Sequence, residues 1–150
     1  MTFEIKPFDP IYTNQIKEVV QRGLLDTGVI SEEDVPLDDE DLDKISTIYG
    51  GRGQFWVALA GGKVIGTIAL KDMGDNRAKL KRMFVLKRYH GKGIGQALLD
   101  QALAFAKVQG FSHVELNSHL NMERAHNFYQ KNGFTKYEKK NDAYYFKKVL

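Results

Sequence analysis

The sequence contains no cysteine and no long hydrophobic run, and each absence excludes a class of protein. Without cysteine, its 150 residues cannot form a disulfide framework, a cysteine metal site or a thiol nucleophile. No apolar run approaches the roughly 18 residues of a membrane-spanning helix, and Glu4 interrupts the apolar core that a signal peptide would need. We therefore expect a cytoplasmic protein that does not associate with membranes. Its composition, 43% hydrophobic and 27% charged, is typical of one globular domain, expected over residues 1–150.

Charge is unevenly distributed along the chain, although the net charge is only +3. Residues 1–75 hold 7 Lys/Arg and 14 Asp/Glu, whereas residues 76–150 hold 15 Lys/Arg and 5 Asp/Glu, and segment 76–99 contains no acid. Such asymmetry suggests a polyanionic ligand on one side of the molecule and a cationic one on the other. The alternative is a solvated surface whose opposite charges pair across the fold.

Apolar spacing and turn residues predict strands and helices that alternate around one sheet. Gly61 and Gly62 separate two β-rich runs and predict a two-residue hairpin turn, in which both residues need positive φ. Strands are expected over 3–8, 55–60, 63–70, 77–86, 111–120, 134–139 and 143–149. Helices are expected after Asp9-Pro10, over about 38–49, from the glycine-rich loop to about 108, and over 121–132. This order predicts a mixed sheet of the α/β (α+β) class.

The most informative segment is the glycine-rich loop 88–95, which lies between a predicted strand and a predicted helix. Glycines at 91, 93 and 95 would let the backbone approach a ligand closely. The first N–H groups of a helix have no partner within the helix and attract anions. With Arg88 and Lys92, these features predict a phosphate or pyrophosphate site; a turn whose glycines serve packing alone is the alternative. Neither the Walker A pattern nor the dinucleotide-binding fingerprint fits the loop.

Two motifs resemble those of one enzyme family. Arg88-x-x-Gly91-x-Gly93 is similar to the coenzyme A-binding signature Q/R-x-x-G-x-G/A, and Ala125-His-Asn-Phe-Tyr129-Gln-Lys-Asn-Gly133-Phe134 is similar to A-x-x-F-Y-x-x-x-G-F. Over essentially its whole length, the chain resembles the GNAT superfamily, the Gcn5-related N-acetyltransferases. The resemblance implies a single GNAT-like domain with about four helices. Its mixed, mostly antiparallel central sheet would be splayed between the fourth and fifth strands.

The resemblance also implies roles for particular residues. Acetyl-CoA would be the cosubstrate, and Tyr129 would protonate the departing thiolate; an ordinary buried tyrosine, with Phe128 beside it in the core, is the alternative. The expected coenzyme-binding residues comprise a strand segment, the loop and one asparagine: Met83, Phe84, Val85, Arg88, Tyr89, His90, Gly91, Lys92, Gly93, Ile94, Gly95 and Asn121.

The general base departs from the family pattern. Many relatives carry a glutamate where this chain has Ala78-Lys79-Leu80, or near Asn117, and neither position is acidic here. His119 is a candidate because an unperturbed histidine has a pKa of about 6.5. A carboxylate from the acidic N-terminal region, or water, is the alternative. His113, His119 and His126 have no recognisable zinc spacing, so no metal is expected.

The acceptor is expected to be the amine of a small molecule or peptide. Without a thiol, direct attack of this amine on acetyl-CoA is the simplest mechanism. The acidic run over 32–43 suggests a cationic acceptor, unless it forms only a solvated surface. A catalytically silent acyl-CoA-binding module competes with the enzyme. A nucleic-acid-binding domain is suggested only by the basic segment, so no nucleic-acid partner is expected. A homodimer is compatible with the sequence, because dimers are common among similar proteins.

Overall fold

A seven-stranded sheet and five α-helices make up the computed structural model, which describes residues 1–150. The strands are β1 (Glu4–Pro7), β2 (Gln54–Ala60), β3 (Lys63–Gly74), β4 (Arg77–Val85), β5 (His113–His119), β6 (Thr135–Lys140) and β7 (Ala143–Val149). The helices are α1 (Thr13–Asp26), α2 (Glu40–Asp43), α3 (Ile45–Ile48), α4 (Ile94–Val108) and α5 (Glu123–Lys131). The strand order is β1-β2-β3-β4-β5-β7-β6, and only β4 and β5 are parallel. The predicted α+β class and mostly antiparallel sheet are therefore confirmed.

The sheet splits between β4 and β5. These strands pair only over their first residues, where Arg77, Ala78 and Lys79 lie opposite His113, Val114 and Glu115. Further along, the register between β3 and β4 shifts at a bulge, and Arg82 adopts a left-handed φ of 55°. A bulge bends its strand, so the second half of β4 turns away from β5. The splay that the family resemblance implied is confirmed.

Two hydrophobic cores form on opposite faces of the sheet. One contains α4 and α5 residues together with Trp56 and Ala58 of β2; the other contains α1, α2 and α3 residues together with Phe55 and Val57. Because side chains alternate between the faces of a strand, a strand covered on both faces is continuously apolar, as β2 is. No residue of β5, β6 or β7 belongs to the second core. That half of the sheet is consequently covered by a helix on one face only.

Two predicted helices differ from the observed ones. The segment predicted as one helix over 38–49 forms two single turns, α2 and α3, because the backbone at Lys44 leaves the helical region (φ −132°, ψ 40°). The structure therefore has five helices rather than about four. Crowded acidic side chains disfavour a continuous helix here, although Leu42, Ile45 and Tyr49 are buried as predicted. The helix predicted to begin at 121 begins at Glu123.

The predicted hairpin turn between β2 and β3 is confirmed. Gly61 and Gly62 have φ values of 57° and 78°. This is the conformation that a two-residue primed turn requires at both central positions.

Candidate active site

The splay between β4 and β5 opens a cleft of about 530 Å³. The end of β4, the loop before α4, the C-terminal end of α1 and the exposed side of α5 surround it. Most of the residues predicted to bind the coenzyme line this cleft: Met83, Phe84, Val85, Tyr89, His90, Gly91, Gly93, Ile94, Gly95 and Asn121. Tyr129 lines it too. Arg88 lies instead in an adjoining depression with Arg22, and Lys92 is exposed on the loop.

The three glycines of the loop differ in whether their backbone conformation requires a glycine. Gly91 and Gly93 have φ values of 77° and 81°, which only glycine adopts without strain. Gly95, in the first turn of α4, has no such φ, and a Cβ there would lie 3.6 Å from the Met83 methyl, an ordinary contact. The first backbone bond of α4 runs from the Ala97 N–H to the Gly93 carbonyl (3.0 Å). The earlier N–H groups of the helix are therefore available to an anion.

Tyr129 projects from α5 toward the bulged part of β4. Its hydroxyl donates to the thioether sulfur of Met83 at 3.7 Å, and such a sulfur is a weak acceptor. Phe134 and Phe146 pack against its ring, with centroids 5.8 and 6.0 Å away. The side chain is nearly buried, at 8% exposed, and burial raises its pKa to about 12. The phenol consequently keeps its proton at neutral pH.

Phe128, expected in the core beside Tyr129, is only half-buried and lines the cleft. Because an α-helix has 3.6 residues per turn, adjacent residues point in directions about 100° apart. With Tyr129 turned inward, Phe128 lies at the rim. Phe128 thus packs against the core without being one of its buried residues, so the expectation that it is a core residue is met only in part.

His90 connects the loop to α5 across the cleft. The Arg124 Nη1 donates to its Nδ1, and its Nε2 lies 2.7 Å from the Val85 carbonyl oxygen. Since a guanidinium only donates, Nδ1 must be an acceptor and Nε2 must carry the hydrogen. The sequence analysis included His90 but missed Arg124, whose position outside both motifs gave no signal.

His119, the candidate base, does not line the cleft. The backbone N–H of Asn121 donates to its Nδ1 at 3.1 Å, so the hydrogen of a neutral imidazole is on Nε2. That Nε2 lies 3.4 Å from a carboxylate oxygen of Asp142. Both ring nitrogens of His119 therefore have partners already, and neither offers a free lone pair to a substrate in the cleft.

Arg82, at the bulge of β4, forms a charged cluster that the sequence analysis missed. Its guanidinium donates to Asp39 at 2.7 Å and to both oxygens of Asp41 at 2.7 and 2.9 Å, and the Tyr49 hydroxyl also donates to Asp41. The side chains of Arg82 and Asp41 are only 16% and 15% exposed. Burial alone would raise the pKa of Asp41, but the hydrogen bonds from Arg82 and Tyr49 and the charge of Arg82 hold it below its usual value.

This cluster revises the hypothesis about the acidic run. Two of its carboxylates, those of Asp39 and Asp41, are paired with Arg82 and are not available to a cationic ligand. Arg82 in turn has its charge compensated by these two carboxylates. Part of the uneven charge distribution is therefore internal pairing.

No three histidine, aspartate or glutamate side chains approach closely enough to hold a metal ion. None of the helices combines the length and the apolar character that crossing a membrane requires.

Gly23 packs its Cα against the Phe84 ring at the base of the cleft, which leads to a stability prediction. An alanine in a helix interior usually stabilises a protein by about 0.5–1 kcal/mol relative to glycine. Here, an added Cβ would lie only 2.3 Å from Phe84 Cδ1. Gly23→Ala should therefore lower the free energy of unfolding by about 1–3 kcal/mol, as overpacked sites do. Urea denaturation would measure it.

The double variant Gly23→Ala/Phe84→Leu supplies the control for this prediction. A smaller side chain at 84 makes room for the Cβ, so the double variant should be more stable than the sum of the two single effects. Additive effects would contradict the proposed clash.

Comparisons with known proteins agree on one family. The model of the family described as "Acetyltransferase (GNAT) domain" matches residues 51–136. Among curated proteins, N-acetyltransferase 8 of Mus musculus is 38% identical over 104 residues, which is 66% of this chain and 45% of that protein. N-acetylaspartate synthetase of Homo sapiens is 41% identical over 81 residues, 53% of this chain and 27% of that protein. The chain thus spans less than half the length of these curated relatives.

Solved structures match over the whole chain. The PaiA N-acetyltransferase of Thermoplasma acidophilum in complex with coenzyme A is 27% identical, with a TM-score of 0.88 and 100% of both chains covered. A GNAT-family acetyltransferase of Staphylococcus aureus Mu50 is also 27% identical, with a TM-score of 0.87 and 99% of both chains covered.

Proposed function

The chain belongs to the GNAT acetyltransferase family, and from this premise we propose that it transfers the acetyl group of acetyl-CoA directly to a primary amine of a small molecule or peptide. One observation carries the proposal. A single cleft is lined both by Gly91 and Gly93 of the loop and by Tyr129 of α5, whose buried phenol keeps its proton. This arrangement would bind a long anionic thioester at the loop and protonate its sulfur at α5.

The coenzyme would bind along β4 and the loop. The loop offers N–H groups at the start of α4, surrounded by the exposed Lys87, Arg88 and Lys92, which suits a pyrophosphate. Beyond Lys79, the edge of β4 that faces β5 has no ladder partner. Its backbone groups over 83–85 can therefore pair with the amides of the pantetheine arm, as the family resemblance implies.

The transfer would proceed by direct attack. The amine nitrogen forms a bond to the carbonyl carbon of the thioester, and the bond between that carbon and sulfur breaks. Tyr129 gives its proton to the thiolate, which is more basic in a dry cleft than in water. The amine gives its proton to solvent, and the Tyr129 phenolate takes a proton back from solvent, which restores the phenol for the next turnover. Water is favoured over His119 as acceptor because both ring nitrogens of His119 already have partners.

Two matched loop variants, assayed for acetyl-CoA binding and for thiol release with a panel of amines, test the proposal. Gly93→Ala should weaken acetyl-CoA binding by about tenfold, because a Cβ in the left-handed conformation costs about 1–2 kcal/mol. Gly95→Ala, which keeps a helical φ and has room for a methyl within the fold, should weaken binding less than Gly93→Ala does. Isothermal titration with acetyl-CoA would measure both affinities.

Thiol release from acetyl-CoA in the presence of an amine is the deciding result. Acetyl-CoA binding without thiol release on any amine would contradict the enzyme and support a silent acyl-CoA-binding module. Equal affinities for the Gly93 and Gly95 variants would contradict the assignment of the loop.

A further inference from the structure

Three lysines form a row on the sheet face that carries α1, α2 and α3. Lys71 of β3 lies directly opposite Lys79 of β4, and Lys81 of β4 lies opposite Ala69. Ala69 belongs to the core beneath α1, and cross-strand partners share a face, so all three lysines lie on this face. Each is half-buried. We refer to Lys71, Lys79 and Lys81 as the lysine row.

The lysine row has no counter-ion in the fold. No carboxylate oxygen lies within 4.0 Å of any of the three ammonium nitrogens. Two acids beside the row are engaged elsewhere: Asp41 is paired with Arg82, and Glu115, opposite Lys79, lies 3.5 Å from both Arg77 and His113.

Such a row costs stability. Like charges directly opposite each other on neighbouring strands are destabilising. Burial lowers the pKa of Lys81, and the charges of Lys71, Lys79 and Arg82 lower it further against the opposing effect of Asp41. An uncompensated row of this kind is therefore suited to an anionic ligand that the protein itself does not supply.

The row borders the place where the reaction would occur. The ladder between β4 and β5 ends at Lys79 and Glu115, and Lys81 is the next residue of β4 on the same face. Beyond the bulge at Arg82, Met83 packs against the core of the opposite face, where its sulfur accepts the hydrogen bond from Tyr129. The lysine row and Tyr129 therefore flank the gap from opposite faces of the sheet. Because β5, β6 and β7 have no helix on the face of the lysine row, a small molecule can reach the gap from this side.

We propose that the lysine row binds a carboxylate of the acceptor, so that the acceptor is an amine carrying a carboxylate close to its amino group, as an amino acid does. The proposal rests on the acetyltransferase function inferred above. The same positive charges disfavour the ammonium form of a nearby amine. The row would thus help to present a neutral nucleophile, which accounts for a site that has no acidic base at Lys79 or Asn117.

Matched acceptors test the proposal: thiol release from acetyl-CoA is measured with amino acids, with the corresponding amino acid carboxamides and with spermidine. The carboxylate form should have a kcat/KM at least about tenfold above that of its carboxamide, the effect of one charged hydrogen bond. In the Lys79→Gln/Lys81→Gln variant, this ratio should fall by about tenfold, through KM, while the affinity for acetyl-CoA stays unchanged. Lys63→Gln, an exposed lysine at the far hairpin turn, is the matched control and should keep the ratio.

Charge reversal gives an independent readout. Lys81→Glu should favour carboxamides and spermidine over amino acids.

Lys79→Gln should raise the melting temperature, because it removes the repulsion with Lys71.

The outcomes separate the two proposals. Wild-type protein that acetylates carboxamides or spermidine as readily as amino acids, or a ratio unchanged in the lysine variants, would overturn the carboxylate proposal and leave the acetyltransferase intact. Acetyl-CoA binding without thiol release on any acceptor would overturn both.

Discussion

Tyr129→Phe is expected to lower kcat by about 100-fold, the loss typical of removing a positioned general acid, while changing acetyl-CoA affinity by no more than about twofold. The substitution keeps the ring that packs against Phe134 and Phe146 and removes only the hydroxyl. That hydroxyl has a single weak partner, the Met83 sulfur, so its removal should change the free energy of unfolding only slightly. Steady-state thiol release and titration with acetyl-CoA would separate the two effects.

The pH profile and a neighbouring variant serve as controls. Because burial raises the pKa of Tyr129 to about 12, its ionisation should cause no loss of kcat in a neutral or mildly alkaline assay. Phe128→Leu, at the cleft rim on the same helix, removes apolar contact but no proton, so it should affect KM more than kcat. If Tyr129→Phe retained the wild-type kcat, the tyrosine would be a packing residue and the proton donor would lie elsewhere.

Arg82→Ala should lower the free energy of unfolding by about 3–5 kcal/mol, the usual cost of removing one member of a buried ion pair. The substitution removes the guanidinium that donates to the carboxylates of Asp39 and Asp41. The Tyr49 hydroxyl alone does not compensate for the lost charge. Urea denaturation at neutral pH would measure the loss.

An exposed ion pair in the same segment provides the comparison for this loss. Lys44→Ala removes the partner of Glu40 in a solvent-exposed pair and should cost no more than about 0.5 kcal/mol. A similar loss in both variants would contradict the special contribution of the buried cluster.

Measuring stability as a function of acid pH shows whether Asp41 is responsible for the loss of stability in Arg82→Ala. The pKa of Asp41 is lower in the folded protein than its ordinary value. The contribution of the Asp41 carboxylate to the free energy of unfolding is therefore complete above the pKa that this group has in the unfolded chain. It is lost as the pH falls through the lower pKa of the folded protein. In Arg82→Ala that contribution is absent, so the difference in free energy of unfolding between the wild type and the variant should become smaller in acid. If this difference did not depend on pH, the loss of stability would come from the backbone of the bulge and not from the ion pair.

Local signals in the sequence predicted the parts of the site that depend on neighbouring residues. The left-handed turns at Gly91 and Gly93 and the inward position of Tyr129 follow from spacing within one loop and one helix. These features need no knowledge of which segments meet in three dimensions.

Contacts between distant segments were not predictable in the same way. Arg82 is separated by 41 positions from Asp41 and by 43 from Asp39, and no periodic pattern links an arginine in a strand to acids in an earlier segment. The error over 38–49 has another source: the apolar spacing of Leu42, Ile45 and Tyr49 predicted one helix, whereas the crowded acidic side chains of the segment disfavour a continuous helix. The lysine row emerged only when the register between β3 and β4 placed Lys71 opposite Lys79.

The brief pairing between β4 and β5 has a mechanical consequence. The sheet is continuous across these strands at only three residue pairs, so beyond them its two halves are joined by the shared core and not by backbone hydrogen bonds. In the proposed complex, the pantetheine arm lies in the gap and hydrogen-bonds to the exposed edge of β4, like a peptide added to a sheet. The coenzyme would then serve as an interposed strand that completes the architecture. Its departure after each turnover would leave that edge of β4 unpaired again.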